Sequence, residues 1–555
     1  MKATYLLAAA VLLTTTNLAA CRLIAAPPLH QRIDELIAAQ AQGAVAKRTS
    51  DADFLRRVSL DLAGAIPTSK ETRAFLADKD GQKRTKLIDR LLASADYARR
   101  MQQAVTVMLL ERRAAGTITD PQWNGYVRDA FSANRPWDQF VRELIAADGR
   151  DEKSRPGMRF LVDGGRNDHH RMTQDIARLF LGMNIQCAQC HDHPNIDDYK
   201  QADYFGLYTY LRQSKVQADK KDKKPFLIET VAKEKAEFQS VFFPDNKKST
   251  GPRLPGRPEV EIPQFEAGRE FAEEPKDGLP GVPKFRPRLR LSEDLAAAAN
   301  GRFVLNSVNR FWFLMMGRGL VHPLDQMHSG NPPSHPKLLD LLAADFVAKK
   351  FDVKRLLREI ALSETYQRSS VLPKQVQAKD VKASSYRVGA TRPLSAEQMA
   401  WSLLRATGNL KRLRAAAVPE KSEFTYKDYI NGRLPLPDNM PDVMTLFGAT
   451  FGNPAGEAEV EFQPSVKHAL FLMNEGLVMS WLQPHDGNLV DRLSKLTDAT
   501  AIADEIYLSL LTRFPNDEER TIAVSYLEAD KDRRAEAQSE LAWALLTTAE
   551  FRLNH

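Results

Sequence analysis

The sequence predicts a mostly α-helical protein, with two helical domains joined by a partly irregular segment that holds possible short β elements. Apolar residues recur at helical spacing on both sides of residues 214–296, for example at Phe54, Val58 and Leu62. Residues 214–296 instead carry a charged run and recurrent prolines, which interrupt helices. The length of 555 residues allows two or three domains, and 43% hydrophobic residues suffice for ordinary cores.

The first twenty residues predict an export signal. Lys2 precedes an apolar run over residues 6–13, which is too short to span a membrane and fits a signal peptide. The next stretch, Leu18-Ala19-Ala20-Cys21, resembles a bacterial lipobox, in which the cysteine becomes the lipidated N-terminus. Ordinary cleavage nearby, with Cys21 removed or incidental, is the alternative. Both predict an exported protein, periplasmic or in the cell envelope, and the lipobox predicts a membrane anchor at Cys21.

Helix start signals divide the first domain, predicted over residues 30–213, into separate helices. Thr68 and Glu71 have the spacing of a capping box, in which each side chain satisfies a backbone N–H of the other residue. Pro121 and Pro136 each stand where an apolar helical pattern begins, a position at which proline is favoured. The aromatic residues behind them recur at helical spacing, so we interpret them as core.

Residues 214–296 predict a charged, proline-rich linker or a small β insertion. Residues 220–224 are a charged run. Two short apolar runs, Phe226-Leu227-Ile228 and Val241-Phe242-Phe243, predict strands. Helical patterns return in the second domain, which is predicted over residues 297–555.

The central motif of the sequence is Cys187-Ala188-Gln189-Cys190-His191-Asp192-His193-Pro194. Its first five residues have the spacing C-x-x-C-H, the attachment signature of c-type haem. Cys187 and Cys190 can each add to one vinyl group of the porphyrin, and His191 can then ligate the iron. The sequence therefore predicts one haem c site, which agrees with export because covalent haem attachment belongs outside the cytosol.

Other interpretations of this motif stay open. Cys187 and Cys190 could close a disulfide, either structural or redox-active. Together with His191 and His193 they could instead hold a non-haem metal ion such as zinc. They could also be two buried thiols with no ligand at all.

A haem at His191 needs its second axial ligand from elsewhere, because His193 lies too close along the chain to reach the opposite face. The candidates are His169, His170, Met315, Met316, His328 and His335. Thr173 begins a predicted helix that runs into Cys187, and the histidine pair before it is otherwise interpreted as part of an exposed loop. We expect the haem cavity between residues 173–213 and neighbouring helices, closed by residues 303–335.

Charge and motifs exclude some classes of function. The net charge of +7 is mild for 555 residues, and the basic residues are scattered or concentrated in the linker. We therefore interpret them as solvated surface and expect no nucleic-acid partner. The chain contains no glycine-rich phosphate loop and no G-x-S-x-G nucleophile elbow, so the sequence predicts no particular enzymatic reaction.

The chain resembles two protein families over most of residues 30–213 and 297–555. Three stretches resemble DUF1549, also called planctomycete cytochrome-like domain two (PSCyt2): Phe54 to Pro67, Asn134 to Val141, and Phe180 to Gly182 followed by Cys187 to Pro194. Five others resemble its usual companion, DUF1553 (PSD1): Val308 to Trp312, Gly317 to Val321, Asn331 to Pro336, Ala469 to Asn474 and the C-terminal tail. The resemblance implies a cytochrome-like, exported protein and brings no established reaction. Asn195 and Tyr199 stand where relatives commonly have phenylalanine and tryptophan.

Three functions remain. The first is electron transfer or redox chemistry with one c-type haem and a redox partner. The second is a surface lipoprotein that binds or degrades polysaccharide, with Asp192, His193, Asp197 and Asp198 as metal or acid–base groups beside a disulfide-braced loop. The third is a structural scaffold in which the motif only stabilises the end of a helix.

Overall fold

The computed structural model describes residues 27–163, 168–218, 224–276, 280–374, 376–416, 440–459, 465–529 and 532–555. Helices make up 54% of the structure, and the β structure consists of short two-stranded pairs. The predicted fold class is therefore confirmed. The predicted signal peptide, Cys21 and residues 220–223 of the charged run lie outside the described residues. Within the described ranges, no helix is long and apolar enough to cross a membrane.

Short helices fill the chain before residue 214, and several begin at the predicted capping residues. Thr68 and Glu71 form the predicted capping box. The helix that contains Pro121 begins at Asp120 and is capped by Thr119. The helices are α1 (Leu29–Gln40), α2 (Asp51–Ala63), α3 (Ser69–Ala77), α4 (Lys83–Leu92), α5 (Ala95–Leu110), α6 (Asp120–Ser132), α7 (Trp137–Ala146), α8 (Arg159–Val162), α9 (His169–Leu181) and α10 (Gln201–Leu211).

Antiparallel hairpins follow in the segment predicted as irregular. They pair β1 (Ser214–Ala218) with β2 (Pro225–Glu229), β3 (Ala236–Ser240) with β4 (Phe243–Thr250), and β5 (Phe271–Glu273) with β6 (Val282–Pro283). The strand predicted at residues 226–228 is confirmed within β2. The strand predicted at residues 241–243 is wrong, because Val241 and Phe242 form the turn between β3 and β4 and only Phe243 belongs to a strand.

The rest of the chain is again helical. One more strand pair joins β7 (Arg392–Pro393) to β8 (Leu553–Asn554), close to the C-terminus. The helices are α11 (Pro287–Leu295), α12 (Gly301–Met316), α13 (Pro336–Ala348), α14 (Val353–Leu362), α15 (Ala396–Ala406), α16 (Leu410–Ala416), α17 (Pro441–Phe451), α18 (Val466–Asn474), α19 (Gly476–Ser480), α20 (Leu489–Ser494), α21 (Ala499–Leu510), α22 (Asp517–Ala529), α23 (Arg534–Leu546) and α24 (Ala549–Arg552).

Two clusters of buried apolar side chains form the cores. The first runs from Leu29 to Tyr386, so α12, α13 and α14 pack in the same core as the helices before residue 214. The second contains residues 394–551 together with Leu60, Ala65 and Ile66. Along the chain, the change from the first core to the second falls between Tyr386 and Leu394. Each half of the chain, residues 27–213 and residues 287–555, contributes to both cores. The burial of apolar surface therefore depends on the two halves together.

Helix α2 also binds the C-terminal end of the chain through buried polar side chains. Arg56 donates to the carbonyl oxygen of Phe551 at 2.7 Å. Asp61 accepts a hydrogen bond from the Arg392 guanidinium at 2.6 Å, and its side chain is fully buried. Residues 54–67, which carry a family resemblance, therefore form part of the contact between the two halves.

Candidate functional site

Cys187, Cys190 and His191 lie on one turn at the protein surface. A short 3-10 helix spans Gln186–Gln189. The backbone N–H groups of Cys190 and His191 both donate to the carbonyl oxygen of Cys187, at 3.1 and 3.3 Å. Both cysteines are exposed free thiols. The three residues predicted to bind haem are therefore placed side by side and are accessible to a ligand.

The helix before this turn differs from the predicted one at both ends. It begins at His169, because the Asp168 side chain accepts the Arg171 N–H at 3.0 Å and caps it. It ends at Leu181, where Gly182 adopts a φ of 68°. A Cβ on that glycine would lie 2.9 Å from Oδ1 of Asn306, so only glycine fits there. The motif is thus separated from α9 and folds as its own turn.

His169 and His170 are half-buried on the first turn of α9, so their interpretation as exposed loop residues is wrong. Nε2 of His169 lies 2.6 Å from the carbonyl oxygen of Ser214. Nδ1 of His170 lies 2.8 Å from the Tyr204 hydroxyl, and its ring stacks on Tyr208 at 4.7 Å. Burial lowers the pKa of His170, which keeps its imidazole neutral at pH 7. Both histidines hold α9 against the segments that follow it.

The tautomer of His191 is fixed by a backbone carbonyl. Nδ1 of His191 lies 2.7 Å from the carbonyl oxygen of Asp192. A carbonyl can only accept, so Nδ1 carries the proton and donates it. In the neutral ring, the other nitrogen, Nε2, then carries the lone pair. Histidines that ligate metals are held in this way, by a hydrogen bond to the nitrogen that does not bind the metal.

An exposed apolar patch lies against the motif. It is formed by Val241, Phe242 and Phe243 at the tip of the β3–β4 hairpin, and their exposures are 61%, 68% and 68%. The Phe242 ring lies 4.9 Å from the His191 ring, and the Val241 N–H donates to the carbonyl oxygen of Cys190 at 3.0 Å. Such exposed apolar groups are typical of a surface that a ligand or partner covers. The apolar run at residues 241–243 predicts a strand and does not indicate the position of these residues beside the motif.

His193 has the opposite tautomer from His191. Its Nδ1 accepts the Asn195 N–H at 3.2 Å, so the proton is on Nε2. Its backbone N–H donates to the carbonyl oxygen of Tyr199 at 2.9 Å, which closes the loop after the motif. Among the residues that the structure describes, no group of three or more His, Cys, Asp and Glu side chains is placed to hold a metal ion.

The loop after the motif is docked onto the second half of the chain. Asp198 accepts hydrogen bonds from the Ser329 N–H at 3.2 Å and from the Arg302 guanidinium at 3.1 Å. The backbones also meet. The Asn184 N–H donates to the carbonyl oxygen of Asp325 at 2.9 Å, and the Met327 N–H donates to the carbonyl oxygen of Gly182 at 2.8 Å. These contacts fix the ends of residues 183–199, and the motif lies between them.

We expect the contact at Asp198 to weaken in acid. Burial acts to raise the pKa of Asp198, but hydrogen bonds from Ser329 and Arg302 outweigh it and lower the pKa below its ordinary value. A depressed carboxyl pKa stabilises the fold above the pKa of the unfolded state, about 4. That stability is lost as the pH falls through the folded-state pKa.

The measurement compares the free energy of unfolding of the wild type with that of Asp198→Asn from pH 7 to pH 3. The wild type is expected to be more stable by about 1 kcal/mol or less at pH 7, and the difference should vanish near the acid end. Asp197→Asn is the matched control, because Asp197 is fully exposed and its ion-pair distance to Lys200 is 3.8 Å. A constant difference across the whole pH range would contradict a lowered pKa of Asp198 in the folded protein.

The candidates for a second axial ligand are dispersed. Met315, Met316 and His335 are buried in the core. His328 packs edge-on against Tyr199 at 5.5 Å, and Tyr199 in turn packs against His193 at 5.9 Å. His328 is thus connected to the motif through one aromatic ring, and the structure contains no direct contact between it and His191 among the described residues.

The large cavity expected beside the motif lies elsewhere. One large cavity, lined by described residues, has a volume of about 1340 Å³. Its lining includes Arg178 and Leu179 from α9 and several residues of α12, as expected, but none of residues 187–193. The motif is a surface feature because its turn follows the end of α9 and projects outward beside the hairpin tip.

Two family models match the chain. A model described as a protein of unknown function (DUF1549), PSCyt2, matches residues 32–216, and a model described as a protein of unknown function (DUF1553), PSD1, matches residues 287–527. The two matches confirm the resemblance drawn from the sequence, and the C-x-x-C-H motif lies inside the first. No curated protein and no solved structure matches the chain.

Proposed function

We propose that this chain, which belongs to the family of proteins that join a DUF1549 domain to a DUF1553 domain, binds one c-type haem and serves in electron transfer. Cys187 and Cys190 would form the thioether links, and His191 would ligate the iron. The observation that carries the proposal is the imidazole of His191. Its Nδ1 is held by the Asp192 carbonyl, which leaves the Nε2 lone pair available, as a haem ligand requires.

The surface beside the motif supports this proposal. The hairpin tip offers an exposed aromatic ring, Phe242, next to His191, where a macrocycle attached to the two thiols could be covered on part of one face. A bound haem supplies one-electron oxidation and reduction. Because the motif is at the surface, an electron-transfer partner could approach it closely.

The same residues favour haem over a non-haem metal ion bound by His191 and His193. Nδ1 of His193 already accepts the Asn195 N–H, and the ring packs against Tyr199. The described residues bring no third ligand to the pair. We therefore assign His193 the role of holding the loop, and we make no proposal for polysaccharide binding at this site.

We expect His191→Ala and His193→Ala to affect the bound haem differently. After expression with a haem-maturation system, His191→Ala should lose or strongly alter the low-spin absorption spectrum, because the iron loses its protein ligand. His193→Ala is the matched control in the same loop and should keep that spectrum. The measurement is the visible absorption spectrum of each purified protein. If His193→Ala changes the spectrum and His191→Ala does not, the ligand assignment is wrong.

We also propose that the protein is exported and anchored in the cell envelope through a lipid on Cys21. The proposal rests on the short apolar run at residues 6–13 and the Leu18-Ala19-Ala20-Cys21 pattern after it. Mass spectrometry of the mature N-terminus is expected to find Cys21 as the first residue, with attached acyl chains. A mature protein that begins at another residue without a lipid would contradict the anchor, and Cys21→Ala should abolish the acylation.

A further inference from the structure

The large cavity lies between the two halves of the chain, away from the C-x-x-C-H motif. Its volume of about 1340 Å³ exceeds the 300–1,000 Å³ that is common for small-molecule sites. Helices α5 and α9 contribute lining residues from the first half, and α12 and α17 contribute them from the second. A ligand in this cavity would therefore contact both families of domain at once.

The lining is unusually rich in arginine. Eight arginines and one lysine line the cavity, against four carboxylates. Several of these arginines are neutralised by carboxylates within the protein. The ion pairs are Arg112 with Glu397, Arg113 and Arg178 with Glu111 and Asp175, Arg159 with Asp120, and Arg392 with Asp61. Two of the lining arginines, Arg100 and Arg310, form no ion pair among the described residues.

Arg100, on α5, is one such cation. Only 6% of its surface is exposed, and its Nε is buried without a hydrogen-bond partner. No described residue accepts a hydrogen bond from its guanidinium, and the side chain lines the cavity. Burial lowers its pKa to about 10, so the side chain is still charged at pH 7. The acids that act on it electrostatically, Asp61 and Glu397, are already paired with Arg392 and Arg112.

Arg310, on α12, is the corresponding cation from the second half. One terminal nitrogen donates to the carbonyl oxygen of Arg178 at 2.7 Å, but Nε is buried without a partner. No carboxylate forms an ion pair with it among the described residues. Burial lowers its pKa to about 10 and the neighbouring Arg178 acts in the same direction, while Asp325 and Glu111 act to raise it, so Arg310 too is charged at pH 7.

A buried charge without a counter-charge is costly. Removing an ion from water costs several kcal/mol even after the protein relaxes. Arginine in particular presents a planar fork of donors that matches the oxygens of a carboxylate or a phosphate. An anion in the cavity would neutralise both guanidinium groups. It would also accept hydrogen bonds from their N–H groups that have no partner within the protein.

The rest of the lining indicates what kind of anion fits. Phe311, Leu314 and Met444 add apolar surface to the cavity wall. Gln103 stands one turn after Arg100 on the same face of α5, and its buried Oε1 has no partner, so it can accept a hydrogen bond from a ligand. The wall therefore combines two cations, one acceptor and apolar surface.

We propose that this cavity binds an organic oxyanion, whose carboxylate or phosphate groups pair with Arg100 and Arg310 and whose apolar body lies against the remaining wall. The ligand would bridge the two halves of the protein, because one arginine comes from each. Its site is separate from the C-x-x-C-H motif, so it does not depend on whether haem is bound.

The test is isothermal titration calorimetry on the full-length protein with four probes. Benzene-1,2,4-tricarboxylate and phenyl phosphate represent the two anion classes, inorganic phosphate tests the anion without an apolar body, and phenol tests the apolar body without the anion. Saturable binding of one equivalent of either aromatic anion supports the proposal, and the tighter of the two identifies the class. If only inorganic phosphate binds, or if none of the anions does, the proposal is overturned.

Substitutions then locate the binding. Arg100→Met and Arg310→Met should each weaken binding of the aromatic anion at least about tenfold, because each removes a charged hydrogen-bond partner. Arg90→Met is the matched control, since Arg90 is exposed on α4 outside the cavity. Unchanged binding in both cavity variants would place the anion elsewhere and overturn the proposal.

Thermal unfolding without ligand separates binding from a structural role. Arg100→Met should unfold at the same temperature as the wild type or higher, because it removes a buried cation that has no ion-pair partner of its own and keeps an apolar side chain of similar length. The aromatic anion should raise the unfolding temperature of the wild type and not that of the variant. If Arg100→Met fails to fold or melts well below the wild type, the charge supports the fold and the proposal is overturned.

Discussion

Replacing Asp61 by alanine is expected to lower the free energy of unfolding by about 3–5 kcal/mol, because it removes one partner of a buried ion pair. The carboxylate of Asp61 accepts hydrogen bonds from Arg392 at 2.6 Å, Asn554 at 2.8 Å and the Tyr366 hydroxyl at 2.7 Å. The side chain is fully buried. Its loss leaves the Arg392 guanidinium without its carboxylate at the contact between the two halves.

Urea unfolding followed by circular dichroism measures this effect. Asp197→Ala is the control of the same residue type, and its fully exposed side chain should change the free energy by less than about 0.5 kcal/mol. A loss of less than about 1 kcal/mol in Asp61→Ala would show that the buried pair contributes little to joining the halves.

Arg56→Ala should destabilise the C-terminal end of the chain by about 3 kcal/mol or more. The Arg56 guanidinium donates to the carbonyl oxygens of Phe551 at 2.7 Å, Glu550 at 3.1 Å and Leu510 at 3.2 Å. Each buried carbonyl that loses its donor costs about 1–3 kcal/mol. Burial lowers the pKa of Arg56 to about 10, so the wild-type side chain is charged at pH 7.

Limited proteolysis and urea unfolding together test this expectation. In Arg56→Ala, cleavage after residue 510 should become faster than in the wild type, because α24 and β8 lose their anchor on α2. Arg90→Ala, an exposed arginine on α4, is the control and should leave both measurements unchanged. Equal protection of the C-terminus in Arg56→Ala would contradict the anchoring role.

The local parts of the fold could be predicted from the sequence because their causes are local. The capping box of Thr68 and Glu71 needs only four residues, and the structure contains it. The C-x-x-C-H spacing likewise places Cys187 and Cys190 within one turn, whatever surrounds them. Helical periodicity was sufficient to predict the mostly α class.

Errors arose where a short pattern fits two structures. Three consecutive apolar residues at 241–243 have the composition of a strand, but the register of β3 against β4 places Val241 and Phe242 in the turn. The predicted helix from Thr173 to Cys187 is wrong at its C-terminal end, because α9 ends before Gly182 and glycine commonly ends a helix. Gly182 was the signal that could have separated the motif from the helix.

Contacts between distant parts of the chain left no local signal. Asp61 and Arg392 are 331 residues apart. From the sequence around it, each would be predicted as an ordinary surface charge. The same holds for Arg100 and Arg310, whose shared cavity exists only after α5 and α12 have come together. The contact between Phe242 and His191 also depends on how the hairpin folds back over the motif.

One measurement tests covalent attachment of haem most directly. The full-length protein and the Cys187→Ala/Cys190→Ala double variant are expressed with a haem-maturation system, purified and extracted with acidified acetone. We predict that the wild type keeps its haem absorption in the protein fraction and that the double variant releases it or never acquires it. A wild-type protein that holds no haem after extraction would contradict the proposed function.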